Sequence, residues 1–85
     1  MTKTILIVED SPMEMQLMMS ILQDRGFLLL SATDGEQALH MAKNQRPDLI
    51  LLDVVLPKKN GYQVCRQLKS SPETSHSRIV MVSSK

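Results

Sequence analysis

The sequence predicts an α/β fold in which short parallel strands alternate with helices. Two runs of four aliphatic residues, Ile-Leu-Ile-Val at 5–8 and Leu-Ile-Leu-Leu at 49–52, show no alternation of polar and apolar side chains. Such runs are typical of strands buried on both faces, as in a parallel sheet. Helix start and stop signals separate the apolar runs, so the predicted order is strand-helix-strand-helix-strand-helix-strand. With right-handed crossovers, this order gives an open parallel sheet covered by helices.

The first half of the chain contains two strands and one helix. The first strand is predicted at Thr4–Val8. A helix then begins with Ser11 as N-cap and Pro12 in its first turn, and it ends at Gly26. The second strand covers residues 27–32. We expect the buried face of the helix to consist of Leu17, Met18, Ile21 and Leu22. Two methionines on its flank are predicted to be more exposed, Met15 and Met19.

Two further helices and two further strands follow. Asp34 is predicted to cap the second helix, which Pro47 ends, and residues 49–52 form the third strand. A polar turn precedes a third helix over residues 62–70, and residues 79–82 form the fourth strand. The inward-facing side chains of these two helices are predicted to be Ala38, Leu39, Ala42, Val64, Cys65 and Leu68.

Composition and charge exclude several classes of protein. The chain has 85 residues, 42% of them hydrophobic, and a formal net charge of +1. This is the size of one small domain, and its scattered lysines and arginines give no nucleic-acid-binding surface. No apolar run approaches the roughly 20 residues that span a membrane, and the N-terminus lacks the apolar core of a signal peptide. Cys65 is the single cysteine, so an intramolecular disulfide is excluded and the cytoplasm is the expected compartment.

Acidic side chains follow two of the apolar strands at the point where each strand ends. Glu9 and Asp10 come directly after the first strand, and Asp53 follows the third. Parallel sheets bind ligands beyond the carboxyl ends of their strands, where the strand order reverses. Placing the acidic ends side by side gives the order 2-1-3-4 and gathers three carboxylates in one crevice. Because two such charges 4 Å apart repel by roughly 4 kcal/mol at an effective dielectric of 20, we expect a hard divalent cation there, Mg²⁺ in particular.

A carboxylate beside such a cation can attack phosphorus and form an acyl phosphate. Asp53 is the preferred nucleophile because it stands singly at a strand tip, whereas Glu9 and Asp10 form a tandem pair suited to holding the metal. The hydroxyl groups of Ser83 and Ser84 would lie beside the same crevice. The ordinary alternative is that acids after strands cap helices or solvate loops. That alternative suits Asp10 alone better than it suits three acids at matching strand ends.

Several spaced motifs resemble those of one known family. They are Ile-Leu-Ile-Val-Glu-Asp at 5–10, Asp-Gly at 34–35 with Ala-Leu at 38–39, Pro-Asp-Leu-Ile-Leu-Leu-Asp at 47–53, Pro57, and Asn-Gly-Tyr at 60–62. Together they resemble the receiver domain of two-component response regulators, over essentially the whole chain. The segments at 65–69 and 80–85 are most similar to single-domain regulators of chemotaxis and twitching motility.

The resemblance implies a flavodoxin-like fold, for which chemotaxis receivers are a standard example of the order 2-1-3-4-5. It implies that Glu9 and Asp10 bind Mg²⁺ and that Asp53 is the phospho-acceptor. The main-chain carbonyl of Val55 would be a further metal ligand, and Ser83 would be the switch hydroxyl that closes on the phosphoryl group. The implied partners are a sensor histidine kinase or phosphotransfer protein and a downstream target protein, with no nucleic acid and no membrane. The chain would then be a phosphoryl-accepting switch and not an enzyme with steady turnover.

The chain departs from the family pattern after its fourth strand. Residues 1–85 are expected to form the N-terminal part of a receiver domain, lacking the usual final helix-strand-helix and the lysine and aromatic residue of a fifth strand. We expect residues 79–82 to present an open apolar edge, and one face of the sheet to lie bare over the third and fourth strands. Both features favour self-association or an exchange of elements between copies.

Three other functions remain open at this point. A protein-interaction module of the same fold that no longer uses phosphate would suit the missing lysine. A phosphatase with an aspartate nucleophile usually has a second acid two residues further on, where this chain has Val55. A flavin-dependent electron-transfer protein shares the fold class, but one tyrosine, no tryptophan and an acidic crevice count against it.

Overall fold

The structure, a computed structural model, describes residues 2–57 and 60–82. Strands and helices alternate along this part of the chain, as predicted. Their bounds are β1 Thr4–Val8, α1 Pro12–Leu22, β2 Leu28–Ala32, α2 Gly35–Gln45, β3 Leu49–Asp53, α3 Gly61–Ser70 and β4 Arg78–Val82. The largest difference is at α1, which stops before Gly26 because Gln23 is already extended, with ψ of 156°. Within the described residues, no helix has the length and apolar character needed to cross a membrane.

All four strands are parallel and form one sheet in the order β2-β1-β3-β4. Val8 of β1 lies beside Ala32 of β2 on one side and beside Leu52 of β3 on the other. Asp53 of β3 lies beside Val82 of β4. The two central strands, β1 and β3, therefore end side by side, and the strand order reverses between them. The predicted order 2-1-3-4 is confirmed, and with it the flavodoxin-like class.

The main hydrophobic core lies between the sheet and the pair of helices α2 and α3. Successive side chains of a strand face opposite sides of a sheet, so alternate residues of β1 and β3 point into this core. Leu6 and Leu52 are completely buried there. The helices contribute the buried residues Ala38, Ala42, Val64 and Leu68. Leu39 and Cys65 pack against them and are partly buried, so the predicted inward faces of both helices are confirmed.

Helix α1 packs on a different face from the predicted one. Leu17 is 60% exposed and Ile21 is 55% exposed, so the predicted buried face is wrong for these two residues. The partly buried apolar side chains are Met15, Met18, Met19 and Leu22, at the i, i+3, i+4, i+7 spacing of a single helical face. The expectation that Met15 and Met19 would be the exposed methionines is therefore wrong as well. The reason is that α1 is apolar on nearly every side, so its spacing does not select one face.

Side-chain caps fix where each helix begins. Ser11 and Asp34 cap α1 and α2 as predicted, because each accepts a hydrogen bond from the backbone N–H three residues later. Helix α3 begins at Gly61, one residue earlier than predicted. The cause is a capping box in which Asn60 accepts from the Gln63 N–H at 2.9 Å and the Gln63 side chain accepts from the Asn60 N–H at 3.2 Å.

One face of the sheet is covered only in part. Helix α1 packs against β1 and β2, and no helix of the described residues covers the same face of β3 and β4. On this face Val80 is 47% exposed, and Leu49, Leu51 and Val82 are partly exposed. The bare face predicted over the third and fourth strands is therefore observed in residues 2–57 and 60–82.

Candidate functional site

The carboxyl ends of β1 and β3 place acidic residues side by side. Continuing the strand register by one residue makes Glu9 and Asp53 neighbours across the two strands. The Glu9 N–H donates to the last carbonyl of β2 at 3.0 Å, and the Val54 N–H donates to the last carbonyl of β4 at 3.1 Å. The backbone beside both acids is therefore tied to the outer strands of the sheet.

Three carboxylates meet at this edge. Glu9, Asp10 and Asp53 each offer one oxygen atom, and these atoms all lie within 4.8 Å of one another. Glu9 is 1% exposed and Asp53 is 2% exposed, whereas Asp10 is open to solvent. The structure thus brings together the three acids that the strand ends predict. Like charges repel more strongly where little water screens them, so the two buried carboxylates favour the approach of a cation.

Backbone N–H groups hold the two buried carboxylates. The Ser11 N–H donates to Oε2 of Glu9 at 2.9 Å, and the Val55 N–H donates to Oδ1 of Asp53 at 3.3 Å. Hydrogen bonds to a carboxylate orient it and balance part of its negative charge. The loops that follow β1 and β3 therefore fold back onto the acids at the strand ends.

The donor set fits a small, hard divalent cation. Mg²⁺ takes oxygen ligands at about 2.1 Å, so ligands on opposite sides of the ion are about 4.2 Å apart. The three carboxylate oxygens lie within 4.8 Å of one another, so a small inward movement, or a water between the ion and one carboxylate, would bring them to ligand distances, with water filling the remaining positions. Because Asp10 is exposed, solvent reaches the site and can supply the water ligands that Mg²⁺ retains.

The sequence that builds this site matches one family over nearly its whole length. The profile of the response regulator receiver domain matches residues 5–85. The chain belongs to this receiver family. The match includes both acidic strand ends and all the helices described above, so the family predicted from the spaced motifs is confirmed.

The receiver is also similar to individual relatives. It is 40% identical to the protein PilH of Pseudomonas aeruginosa over 81 residues, which cover 95% of this chain and 67% of PilH. The crystal structure of the N-terminal domain of a response regulator receiver protein from Methanoculleus marisnigri JR1 matches with a TM-score of 0.91 at 32% identity, covering 96% of this chain and 67% of the crystallised chain. The chemotaxis response regulator CheY4 of Vibrio cholerae matches with a TM-score of 0.89 at 30% identity, covering 95% and 68%. The chain therefore spans about two thirds of the length of PilH and of each of the two crystallised chains.

Val55 and Ser83 are the two other predicted site residues, and only Val55 lies within the described part of the chain. Val55 donates its N–H to Asp53, and its side chain is 51% exposed. The role of the Val55 main-chain carbonyl as a metal ligand stays a prediction. Ser83, the predicted switch hydroxyl, lies outside the described residues, as does the neighbouring Ser84.

One contact of the site does not follow from the sequence. Gly61 packs directly on the main chain of Asp53 and Val54, and its N–H donates to the Val54 carbonyl at 2.7 Å. The Asn-Gly pair at 60–61 predicts only a turn. The contact with β3 depends on how α3 packs against the sheet, and the residues around Gly61 do not predict that packing.

Proposed function

We propose that this receiver accepts a phosphoryl group on Asp53 from a phosphohistidine of a sensor kinase or phosphotransfer protein. Glu9, Asp10 and Asp53 would hold the Mg²⁺ ion, and phosphorylation would change the affinity of the receiver for a downstream target protein. The observation that carries the proposal is the convergence of three carboxylates at the switch point of a parallel sheet, with two of them buried. Such a cluster costs stability without a cation and has a chemical use with one.

The transfer needs a nucleophile on the receiver and a leaving group on the donor. A carboxylate oxygen of Asp53 attacks phosphorus, an O–P bond forms, and the P–N bond of the phosphohistidine breaks. The imidazole nitrogen keeps the electron pair of the broken bond, and Asp53 becomes an acyl phosphate. When bound, Mg²⁺ supplies positive charge against the oxygens of the phosphoryl group. The N–H of Val55 keeps the Asp53 carboxylate oriented at the end of β3.

Asp53 is favoured as the acceptor over the other two acids. It is the last residue of β3, a central strand paired on both sides, so its backbone is firmly placed. Glu9 lies one residue past the end of β1 and has a longer side chain, and Asp10 lies further beyond the strand and is exposed. In-line attack depends on a fixed position of the nucleophile, which suits Asp53 best.

The surroundings of the acids fit a protein partner. Met13, Val55 and Tyr62 follow β1 and β3 at the same edge of the sheet and are 81%, 51% and 60% exposed. Exposed aromatic and methionine side chains are enriched in protein interfaces. We therefore place the phosphodonor protein at this edge. The proposal further includes closure of the Ser83 hydroxyl on the phosphoryl group, action in the cytoplasm, no steady enzymatic turnover, and a part in chemotaxis-type or twitching-type signalling.

Phosphorylation by a small phosphodonor tests the proposal. Incubation with acetyl phosphate and Mg²⁺ should raise the intact mass by one phosphoryl group, and Asp53→Asn should abolish the gain. Asp48→Asn is the matched control, because the Asp48 carboxylate accepts from the Thr4 N–H at 2.8 Å at the opposite edge of the sheet. The control should be labelled like the wild type. Full labelling of Asp53→Asn would refute the assignment, and a wild type that binds Mg²⁺ without being labelled would favour a phosphate-independent interaction module.

A further inference from the structure

Gly61 occupies a position against β3 where no larger residue fits. A Cβ atom at this position would lie closer to the Asp53 carbonyl oxygen than Cβ atoms do in proteins, and only 2.8 Å from the Cα of Val54. Both atoms belong to the backbone, so neither can turn aside as the end of a flexible side chain can. A side chain at position 61 therefore requires β3 and α3 to move apart.

The same contact closes the loop that connects β3 to α3. The Gly61 N–H donates to the Val54 carbonyl at 2.7 Å, which joins the two ends of the loop. Asn60 caps α3 beside this bond and so fixes where the helix begins. Val55 lies within the loop, and its N–H bonds to Oδ1 of Asp53. The position of the Asp53 carboxylate therefore depends on a loop whose closure requires glycine.

We infer that Gly61 is a positioning residue of the phosphoryl-acceptor site, acting through the main chain of Asp53 and Val54. The inference rests on the proposed function, because it concerns Mg²⁺ binding and phosphoryl transfer at Asp53. A methyl group at position 61 must separate α3 from β3 by about 1 Å to reach an ordinary contact distance. Because Asp53 is held in the sheet by strands on both sides, the loop moves with α3, and the Val55 N–H no longer holds the Asp53 carboxylate in place beside Glu9. Displacements of about 1 Å cost reactive sites as much as ~100-fold in rate.

Gly61→Ala tests the inference through Mg²⁺ affinity and phosphorylation rate. Isothermal titration with Mg²⁺ should give a Kd about 10- to 100-fold weaker than that of the wild type, as when other supports of metal ligands are removed. Phosphorylation by acetyl phosphate should remain slower even at saturating Mg²⁺. Gly26→Ala is the matched control, because Gly26 has φ of +85° and nothing within 4 Å of the added Cβ. Alanine there strains the turn between α1 and β2 and lowers Tm, but should leave the Mg²⁺ affinity unchanged.

Wild-type Mg²⁺ affinity in a folded Gly61→Ala variant would overturn the inference. If circular dichroism shows that Gly61→Ala does not fold, Asn60→Ala provides the decision, since it removes the cap of α3 and adds no atom at position 61. Weaker Mg²⁺ binding by that variant supports the inference, and unchanged binding overturns it. A wild type that takes up neither Mg²⁺ nor phosphoryl refutes the proposed function, and this inference with it. If instead the wild type binds Mg²⁺ and is phosphorylated, and only the variants fail to show weaker Mg²⁺ binding, the inference about Gly61 is overturned and the proposed function is not.

Discussion

Replacing Asp53 by asparagine should stabilise the metal-free receiver. The new amide can still accept from the Val55 N–H, but one of the two buried charges is gone. The oxygens of Glu9 and Asp53 lie within 4.8 Å of each other, where two unit charges repel by roughly 3.5 kcal/mol at an effective dielectric of 20. Asp10 is exposed and adds less. Hydrogen bonds to the carboxylates offset part of the repulsion, so we expect the free energy of unfolding to rise by about 1–3 kcal/mol.

Urea and thermal unfolding in EDTA measure this gain. In a domain of this size, 1 kcal/mol corresponds to roughly 4–8 °C in Tm, so Asp53→Asn should melt several degrees above the wild type. Mg²⁺ should reverse the order, because binding at 100 times Kd stabilises the wild type by about 2.7 kcal/mol. The variant has lost a ligand and should gain less. Asp48→Asn, with its carboxylate at the other edge of the sheet, should show neither the gain in EDTA nor the reversal.

A Tm for Asp53→Asn that falls below the wild-type value in EDTA, with Asp48→Asn unchanged, would contradict this reasoning. It would mean that the interactions of the ionised Asp53 outweigh the repulsion from Glu9. The cluster would then be stable without a cation, and the electrostatic argument for Mg²⁺ would fail.

Two further predictions concern packing. Leu6→Ala, in the buried centre of β1, should lower the free energy of unfolding measured in urea by about 2–5 kcal/mol. Leu17→Ala, on the exposed side of α1, should change it by less than about 0.5 kcal/mol. Equal losses for the two variants would show that Leu17 is buried in solution. The polypeptide of residues 1–85 should self-associate through its partly bare face over β3 and β4, where Val80 is exposed. Val80→Lys should reduce this association, as measured by sedimentation velocity. A wild type that stays monomeric at high concentration would rule out self-association through this face.

The sheet and its acidic cluster could be predicted because both depend on short, local patterns. The aliphatic runs at 5–8 and 49–52 are long enough to identify buried strands and too short for helices. Acids directly after both runs then restrict the strand order, because a common edge explains all three carboxylates together. The parallel pairing of Val8 with Leu52 places these acids side by side as expected.

The face of α1 and the contact of Gly61 could not be predicted in the same way. Apolar residues surround α1, so several faces have nearly equal hydrophobicity, and docking on β1 and β2 decides among them. The exposure of Leu17 follows from that docking. Gly61 touches Asp53 only because α3 returns to the end of β3, eight residues after the strand. Both are outcomes of tertiary packing and leave no periodic signal in the sequence.

Burial strengthens the repulsion within the acidic cluster in the absence of a cation, and it also makes the cluster respond strongly to a cation. Exposed carboxylates are screened by water, so they would neither repel strongly without a cation nor respond strongly to one. Here Glu9 and Asp53 are almost completely buried while Asp10 is exposed, so a cation can enter from solvent and still act on two poorly screened charges. Those two carboxylates accept hydrogen bonds from the Ser11 and Val55 N–H groups, which lie in the loops after β1 and β3. A change of charge at Asp53 is therefore expected to act directly on the loop backbone, which is what the proposed phosphoryl switch requires.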